Sequence, residues 1–281
     1  MTPPPNATAE LLSLARAVAL EAGTLVLEAR RGVVEVADRK SSSVDVVTQV
    51  DRDAEALIRG RLAEARPHDG FFGEESGGAS GSSGLTWVVD PIDGTVNFLY
   101  GIPHYAVSIA VVEGEADPQR WQALAGVVVN PATGELFSAA AGDGAFLGDR
   151  PLQVNPPVDL SQALVATGFA YAAQTRAEQG AAVARLLPQV RDVRRMGTAS
   201  LDLCAVASGR VDAYFERTLS PWDHAAGAIV AAEAGARVTG LPGMRADHRF
   251  LLAAHPELAV ALERVLGEVE AVPSEAASDS S

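Results

Sequence analysis

Two carboxylates three positions apart stand at the end of an apolar run in the segment WVVDPIDGT. Asp90 follows a pattern typical of a buried strand, and Pro91 predicts that the strand ends there because proline cannot donate a ladder hydrogen bond. A buried carboxylate is unfavourable unless it is paired or coordinates a cation. The Asp93-Gly94-Thr95 turn favours a bound anion, with Thr95 as a candidate cap for the next segment. This segment alone is compatible with a metal site or with an ordinary capped turn.

Two further segments also place acidic residues at the end of a predicted element. FFGEESG brings apolar residues into a glycine turn with Glu74 and Glu75, and PWDHAAG places Asp223 in the first turn of a helix. Each has a structural alternative, since Glu75 is also explained as a solvated loop charge and Asp223 as a complement to the helix dipole. Hard oxygen ligands from three element ends, with no matching His or Cys cluster, favour Mg²⁺ over Zn²⁺.

The elements that must position these residues alternate between helical and strand patterns, which predicts a mixed α/β layered protein. The segment GGASGSSG at residues 77–84 predicts a flexible loop, and NPATG predicts a hairpin turn. The predicted helices cover residues 8–30 with Thr8 as cap, 51–65, 175–187 and 199–207, a helix starting at Pro221 after the cap Ser220, and one following Pro256; the predicted strands cover residues 86–89, 106–112, 124–129, 135–140 and 211–215.

Composition limits the class of protein. The chain has 281 residues, of which 48% are hydrophobic, enough for one large domain or two packed halves. Its formal net charge of −14 argues against attraction to nucleic acid or anionic lipid. If such a polyanionic protein handles phosphorylated substrates, metal ions are the obvious candidates to neutralise them. No basic leader precedes an apolar core and no apolar stretch reaches ~18 residues, so we expect a cytoplasmic protein without a membrane span. The single Cys204 is predicted to be buried and inert.

The segments GEES, WVVDPIDGTVNF and PWDHAAG, in this order and at these separations, resemble the inositol monophosphatase family of Mg²⁺-dependent, lithium-sensitive phosphatases. DVVTQVD, MGTASLDLCAVASGRVDAYFE and EAGARVT resemble it too. Relatives acting on 3′-phosphoadenosine nucleotides usually have Lys-Glu-Phe where this chain has Val96-Asn97-Phe98, which favours the inositol branch. Val96 departs from the second Thr common in that branch.

The resemblance covers residues 9–266 and implies an αβαβα sandwich of the inositol monophosphatase and fructose-1,6-bisphosphatase type. It implies a single phosphatase domain over residues 1–267, with a metal-site half at about 7–150 and a second half at about 151–267. Residues 268–281 are polar and acidic, and we expect them to form a disordered tail.

The resemblance also implies a ligand set for two Mg²⁺ ions. Glu74, Asp90 and the carbonyl of Ile92 would hold the first ion, while Asp90, Asp93 and Asp223 would hold the second. Asp90 would therefore bridge the two. The family also binds a third, weaker metal near Glu74, so two or three Mg²⁺ ions are expected in each active site.

The implied catalytic set is Thr95, Asp51 and Glu74. The Thr95 hydroxyl, hydrogen-bonded to Asp51, would orient the attacking water and help to deprotonate it, while the amides of Gly94 and Thr95 would bind phosphate oxygens. An ordinary helix cap is the alternative role for Asp51. The resemblance implies direct in-line attack by water without a phosphoenzyme.

Substrate hydroxyls would be held by Glu216 and by the backbone around Gly197, Thr198 and Ala199, positions that match inositol-binding residues of the family. A solvated charge at a strand end is the alternative for Glu216. The full set predicted to bind substrate is Asp93, Gly94, Thr95, Gly197, Thr198, Ala199, Glu216 and Asp223.

The predicted function is hydrolysis of inositol 1-phosphate and similar polyol or sugar phosphates by a homodimer, without nucleic-acid or membrane partners. Fructose-1,6-bisphosphatase activity is the first alternative, because Arg194 or Arg195 could reach a distal phosphate; histidinol phosphatase is more distant. A regulatory scaffold for RNA-processing or transcription machinery is an alternative of another class. Tyr100 and His104 could border the substrate, whereas His224 is expected to pack in the interior or to face solvent.

Overall fold

The fold is that of a computed structural model, which describes residues 5–32, 36–39 and 46–270. Within these residues the chain forms seven α-helices, two 3₁₀ helices and fifteen strands. The helices are α1 (Pro5–Arg30), α2 (Gln49–Ala65), α3 (Thr95–Tyr100), α4 (Ala173–Leu186), α5 (Ala199–Ala207), α6 (Pro221–Glu233) and α7 (Pro256–Glu270), and the 3₁₀ helices are Leu160–Gln162 and Leu187–Gln189.

The strands form three sheets. The strands are β1 (Val36–Arg39), β2 (Val46–Thr48), β3 (Gly70–Gly73), β4 (Gly77–Ala79), β5 (Leu85–Asp93), β6 (Ala106–Glu113), β7 (Gln122–Asn130), β8 (Glu135–Ala140), β9 (Gly144–Leu147), β10 (Arg150–Pro151), β11 (Leu164–Thr167), β12 (Asp192–Arg194), β13 (Ala213–Glu216), β14 (Arg237–Thr239) and β15 (Leu251–Ala254). An eight-stranded sheet has the order β10-β9-β8-β7-β6-β5-β3-β4, a five-stranded sheet has the order β12-β11-β13-β15-β14, and β1 pairs with β2.

The two larger sheets are mixed. In the eight-stranded sheet only β3 and β5 run parallel, and the other neighbours are antiparallel. In the five-stranded sheet β11 runs parallel to both β12 and β13, while β15 runs antiparallel to β13 and β14. The predicted hairpin is confirmed as the antiparallel pair β7 and β8.

Three hydrophobic clusters show how the layers stack. Helices α1 and α2 pack on one face of the eight-stranded sheet, and α5 and α6 fill the space between the two larger sheets. Helices α4 and α7 cover the outer face of the five-stranded sheet. Strand β5 illustrates the alternation, since Trp87 and Val89 face α1 and α2 whereas Val88 faces the central helices. The αβαβα prediction is thereby confirmed.

Several predicted boundaries need correction. Helix α1 begins at Pro5, so Thr8 is a buried residue inside the helix and not its cap. Part of GGASGSSG is strand β4, because its backbone pairs with β3. Helix α7 continues to Glu270, past the predicted boundary at residue 267, and residues 271–281 of the predicted tail lie outside the described residues. The start of α5 at Ala199 and of α6 at Pro221 is as predicted.

None of the helices in the described part of the chain combines the length and the apolar character that a bilayer crossing requires.

Candidate active site

Strand β5 does not end at its proline. It pairs with β6 up to Asp90, the register shifts, and pairing resumes at Asp93. Pro91 and Ile92 fall in this irregularity, so the prediction that the proline terminates the strand is wrong: the strand bulges and continues. The bulge leaves Asp90 only 2% exposed and lets its Oδ1 accept a hydrogen bond from the Ile92 backbone N–H at 3.0 Å. Asp90 and Asp93 line the same cleft.

The turn after Asp93 depends on glycine. Gly94 has a φ of +92°, a conformation that favours glycine, and it is the N-cap of α3. A Cβ at this position would lie 2.5 Å from the Thr198 hydroxyl. Gly94 therefore caps α3 in place of Thr95, which is the first residue of the helix. The close packing brings the turn against the segment that precedes α5.

A cleft with a volume of about 450 Å³ lies at the C-terminal ends of β3 and β5. It is lined by every predicted ligand and substrate-binding residue, and Asp51 lies behind it in contact with Thr95. The predicted residues that line it are Glu74, Asp90, Ile92, Asp93, Gly94, Thr95, Gly197, Thr198, Ala199, Glu216 and Asp223.

The cleft concentrates negative charge. Burial raises the pKa of Asp90 and of Asp223 well above the usual range, and the nearby charges of Glu74 and Asp93 raise both further. Burial likewise raises the pKa of Asp93 to about 7. Among the described residues Arg195 is the only Lys or Arg side chain that lines the cleft. This donor set fits a hard divalent cation, which would offset the mutual repulsion of the carboxylates.

The carboxylates do not by themselves complete a metal site. In the described part of the chain, no three acidic, His or Cys side chains stand close enough together to hold an ion. A cation in the cleft would therefore take part of its ligands from backbone oxygen or water, which is the usual manner of Mg²⁺ in proteins.

Asp93 is anchored from the central helical layer. The backbone N–H and the hydroxyl of Ser200 donate to Asp93 Oδ2 at 2.7 and 2.6 Å. Ser200 is fully buried in the first turn of α5. The sequence analysis missed Ser200, although its place in the first turn of a predicted helix was a signal that its N–H group was available. The contact ties β5 of the large sheet to the second half of the chain.

Asp223 lies in the first turn of α6, as predicted, and completes a capping box there. The Ser220 backbone N–H donates to Asp223 Oδ2 at 2.6 Å. The carboxylate thus satisfies the helix terminus while it lines the cleft.

Asp51 closes a helix cap, which was one of the two alternatives for it, and the same carboxylate contacts Thr95. Its Oδ2 accepts from the Thr48 backbone N–H at 2.8 Å and from the Thr48 hydroxyl at 2.5 Å, which closes the capping box of α2. Its Oδ1 lies 3.1 Å from the Thr95 hydroxyl, which is equally close to the Ile92 carbonyl. Burial raises the pKa of Asp51 to about 6, against the opposing hydrogen bonds from Thr48. The cap fixes the carboxylate toward Thr95.

Glu216 lies at the end of β13 in the five-stranded sheet and lines the cleft. Its Oε2 accepts the Tyr214 hydroxyl at 2.5 Å. Burial raises the pKa of Glu216 to about 7, while Tyr214 and the charge of Arg195 oppose the shift. The alternative of a freely solvated charge is therefore wrong, because the carboxylate is engaged inside the cleft.

Asn97 holds the loop that precedes α5 against α3. Its side-chain amide donates to the carbonyls of His104 and Met196 at 2.8 and 2.9 Å, which ties α3 to the segment leading into Gly197. The Thr198 hydroxyl donates to the same His104 carbonyl at 2.9 Å. His104 therefore contributes backbone to the frame of the cleft, and its side chain is not among the lining groups.

Arg194 and Arg195, the two candidates for binding a distal phosphate, differ in their position relative to the cleft. Arg195 lines the cleft, whereas the exposed Arg194 lies outside its lining and pairs with Asp192 at 2.6 Å. Tyr100 is 76% exposed and also lies outside the cleft.

Of the two alternatives for His224, packing is confirmed, and so is the burial predicted for Cys204. His224 is buried with its ring centroid 6.2 Å from that of Trp121, and burial lowers its pKa to about 4. Cys204 is fully buried, and burial raises its pKa well above the usual range, so it is no reactive thiol.

Comparison with known proteins gives one consistent result. A model of the inositol monophosphatase family matches residues 7–273. An inositol-1-monophosphatase named SuhB from Mycobacterium tuberculosis is 45% identical over 97% of this chain and 100% of its own length. A Nus factor SuhB from Vibrio cholerae is 38% identical over 83% of this chain and 86% of its own. The crystal structure of an extragenic suppressor protein suhB from Bartonella henselae superposes with a TM-score of 0.84 at 36% identity, covering 92% of this chain and 98% of that one.

Proposed function

Since this chain belongs to the inositol monophosphatase family and is a phosphoric monoester hydrolase, we propose that it hydrolyses inositol 1-phosphate and related polyol phosphates with Mg²⁺ as cofactor. The observation that carries the proposal is the single cleft in which Glu74, Asp90, Asp93 and Asp223 meet beside the Thr95 and Asp51 pair. A phosphate ester would enter a strongly acidic cleft, so a cation is needed to bring the two together.

The ligands that we propose are those that the family resemblance implies, and all of them line this cleft. Glu74, Asp90 and the Ile92 carbonyl would hold one Mg²⁺, and Asp90, Asp93 and Asp223 would hold another together with water, once the ion draws these three carboxylates closer than they stand without it. A third, weaker ion would bind near Glu74. Such ions, when bound, neutralise the phosphate, activate water and stabilise the leaving oxygen. The carboxylates are held in place beforehand by Ser200, Ser220 and the bulge of β5.

The chain's own residues would do the remaining work. The Thr95 hydroxyl would orient the attacking water and accept its proton as its own proton passes toward Asp51 Oδ1, 3.1 Å away. The backbone N–H groups of Gly94 and Thr95 lie at the start of α3, and we propose that they bind phosphate oxygens. Glu216 and the backbone of residues 197–199 would hold the hydroxyls of the alcohol.

A substrate panel tests the proposal directly. We expect phosphate release from inositol 1-phosphate that depends on Mg²⁺ and stops when the ion is chelated. The panel should include glycerol phosphates, fructose 1,6-bisphosphate, histidinol phosphate and 4-nitrophenyl phosphate, with phosphate measured colorimetrically. Equal rates with and without Mg²⁺, or no hydrolysis of any polyol phosphate, would contradict the proposal.

Glu216→Gln should lower kcat/KM for inositol 1-phosphate by roughly 10- to 150-fold. Hydrogen bonds to a charged acceptor are worth ~1.5–3 kcal/mol, and the uncharged amide loses that advantage. Hydrolysis of 4-nitrophenyl phosphate, which has no hydroxyls to hold, should change little. The assay is best run at pH 8, above the pKa of about 7, so that wild-type Glu216 is ionised. Equal losses on both substrates would assign Glu216 to the metal site or the fold.

Fructose 1,6-bisphosphate remains a second candidate substrate, because Arg195 lines the cleft and offers a cation for a distal phosphate. The ratio of its rate to that for inositol 1-phosphate in the panel decides between them.

A regulatory role is supported by a different observation, the similarity to a relative named as a Nus factor. The formal net charge of −14 argues against direct contact with RNA, so such a role would involve protein partners. A pull-down with a catalytically inactive variant would separate the regulatory role from hydrolysis.

We propose a cytoplasmic homodimer as the active form.

A further inference from the structure

We infer that Glu55 of α2 is a positioning residue for the proposed metal site, because it fixes the turn that carries Glu74. The inference rests on the proposed function and deepens it. Glu55 is outside the motifs that suggested the ligand set, and it does not line the cleft. A charged side chain that is only 3% exposed and sits beside an acidic cleft needs a reason to be there.

The carboxylate of Glu55 makes two hydrogen bonds to consecutive backbone amides. Its Oε2 accepts from the Glu75 N–H at 2.8 Å and its Oε1 accepts from the Ser76 N–H at 2.7 Å. The preceding amide, that of Glu74, donates to the Val89 carbonyl of β5 at 3.2 Å. Three successive backbone amides are thus fixed: that of Glu74 by β5, and those of Glu75 and Ser76 by Glu55. Glu74 therefore lies between the contact with β5 and the contacts with Glu55.

Gly73 makes this approach possible. A Cβ on Gly73 would overlap the Glu55 carboxylate and lie 2.6 Å from the Phe71 ring. A side chain there would push the carboxylate away from the two amides it binds. The glycine of the GEES segment is therefore explained by space for Glu55.

Glu55 lies one helical turn after Asp51, so the two residues share one face of α2. Both are buried. Asp51 contacts the Thr95 hydroxyl in the turn after β5, and Glu55 contacts the turn after β3. Two adjacent turns of one helix therefore hold the two ligand-bearing turns of the large sheet at a fixed separation. Because Glu74 and Asp90 would share one Mg²⁺, that separation determines how well the ion is bound.

A purely structural role would give a different result. If Glu55 only satisfied two amides, its substitution would lower thermal stability and leave Mg²⁺ affinity unchanged in the folded protein. If it positions Glu74, Mg²⁺ affinity should fall even where the fold is intact. Groups that support metal ligands typically change metal affinity or activity by about 10–100-fold when mutated.

Glu55→Gln is the first test. The amide oxygen can accept from one of the two N–H groups, while its NH₂ group faces the other, so the turn should loosen. We expect Mg²⁺ binding measured by calorimetry to weaken by about 10–100-fold. Faster hydrogen exchange of the amides of Glu75 and Ser76 should accompany it without any metal present. At saturating Mg²⁺, kcat should return close to the wild-type value.

Glu55→Asp is a second test variant, and Glu64→Gln is the control. Aspartate keeps the charge but is one methylene shorter, so it should lose at least one amide contact and weaken Mg²⁺ binding as well; it also serves if the glutamine variant fails to fold. Glu64 is exposed on the same helix, and its variant should behave as wild type.

The outcomes are distinct. Wild-type Mg²⁺ affinity in a folded Glu55→Gln or Glu55→Asp protein, or unchanged hydrogen exchange in the turn, overturns the inference while the proposed function stands. If the wild-type chain itself binds no Mg²⁺ and releases no phosphate, the proposed function fails and this inference fails with it.

Discussion

Asp90→Asn should lower the rate of phosphate release by more than about 10²-fold and leave a folded protein. Loss of groups that merely support metal ligands costs about 10–100-fold, and Asp90 is proposed to bind both ions directly. Asparagine has nearly the same shape, and its Oδ1 can still accept the Ile92 N–H that Asp90 accepts at 3.0 Å. Calorimetry should show weakened Mg²⁺ binding alongside the loss of turnover.

The same variant should be more stable than wild type when metal ions are removed. Burial and the charges of Glu74, Asp93 and Asp223 raise the folded-state pKa of Asp90 above its unfolded value. The folded wild-type protein therefore holds this proton more tightly than the unfolded chain does, so its stability falls as pH rises through the folded pKa. Asparagine removes that contribution. In EDTA, the variant should have the higher Tm at pH 8, and the difference should shrink toward pH 5.

Added Mg²⁺ should reverse the order of the two Tm values, because the ion stabilises the folded protein that binds it better. Asp143→Asn, an exposed aspartate in the turn between β8 and β9, is the control and should change neither activity nor Tm. Near-normal turnover of Asp90→Asn would remove the two-metal assignment.

Thr95→Ala should lower kcat by ~10²–10⁴-fold with little change in KM, the loss expected when general-base assistance is removed. The hydroxyl lies 3.1 Å from Asp51 Oδ1, and the other oxygen of that carboxylate is held by Thr48. Alanine removes the group that links the water to Asp51 but keeps the backbone N–H of residue 95, which is proposed to bind phosphate.

Thr95→Ser is the matched control, because it keeps the hydroxyl and should retain most of the wild-type kcat. Steady-state kinetics at saturating Mg²⁺ measures both variants. A raised KM with a normal kcat in Thr95→Ala would mean that Thr95 binds phosphate and takes no part in activating the water.

The acidic residues of the cleft could be predicted from the sequence, because they lie at the ends of strands and helices. At such positions the local sequence pattern shows where an element begins or ends. Asp223 after Ser220 and Pro221 has the signature of a helix start, and α6 begins there. The behaviour of Pro91 could not be predicted in this way. Whether a proline ends a strand or sits in a bulge depends on the neighbouring strand, and β6 pairs on both sides of it.

The anchors of the site were beyond local pattern for a similar reason. Ser200 binds a residue 107 positions away and Glu55 binds residues 20 and 21 positions away. A local pattern can indicate a free N–H group, as it does for Ser200, but it does not indicate which residue that group binds. Most strands of the five-stranded sheet were also missed, since segments of three or four residues such as β12 and β14 are too short to show a period of two. The layered class was nevertheless correct, because the long elements α1, α2 and β5 to β8 carry strong patterns.

The hydrogen bonds that Ser200 donates to Asp93 affect when the site can form during synthesis of the protein. The two residues are 107 positions apart. At ribosomal rates of about 5–20 residues per second, Asp93 emerges roughly 5 to 20 s before the serine that anchors it. During that interval the nascent chain carries Glu74, Asp90 and Asp93 without their later partners, so a newly made polypeptide acquires catalytic competence only after its second half has been translated and has docked.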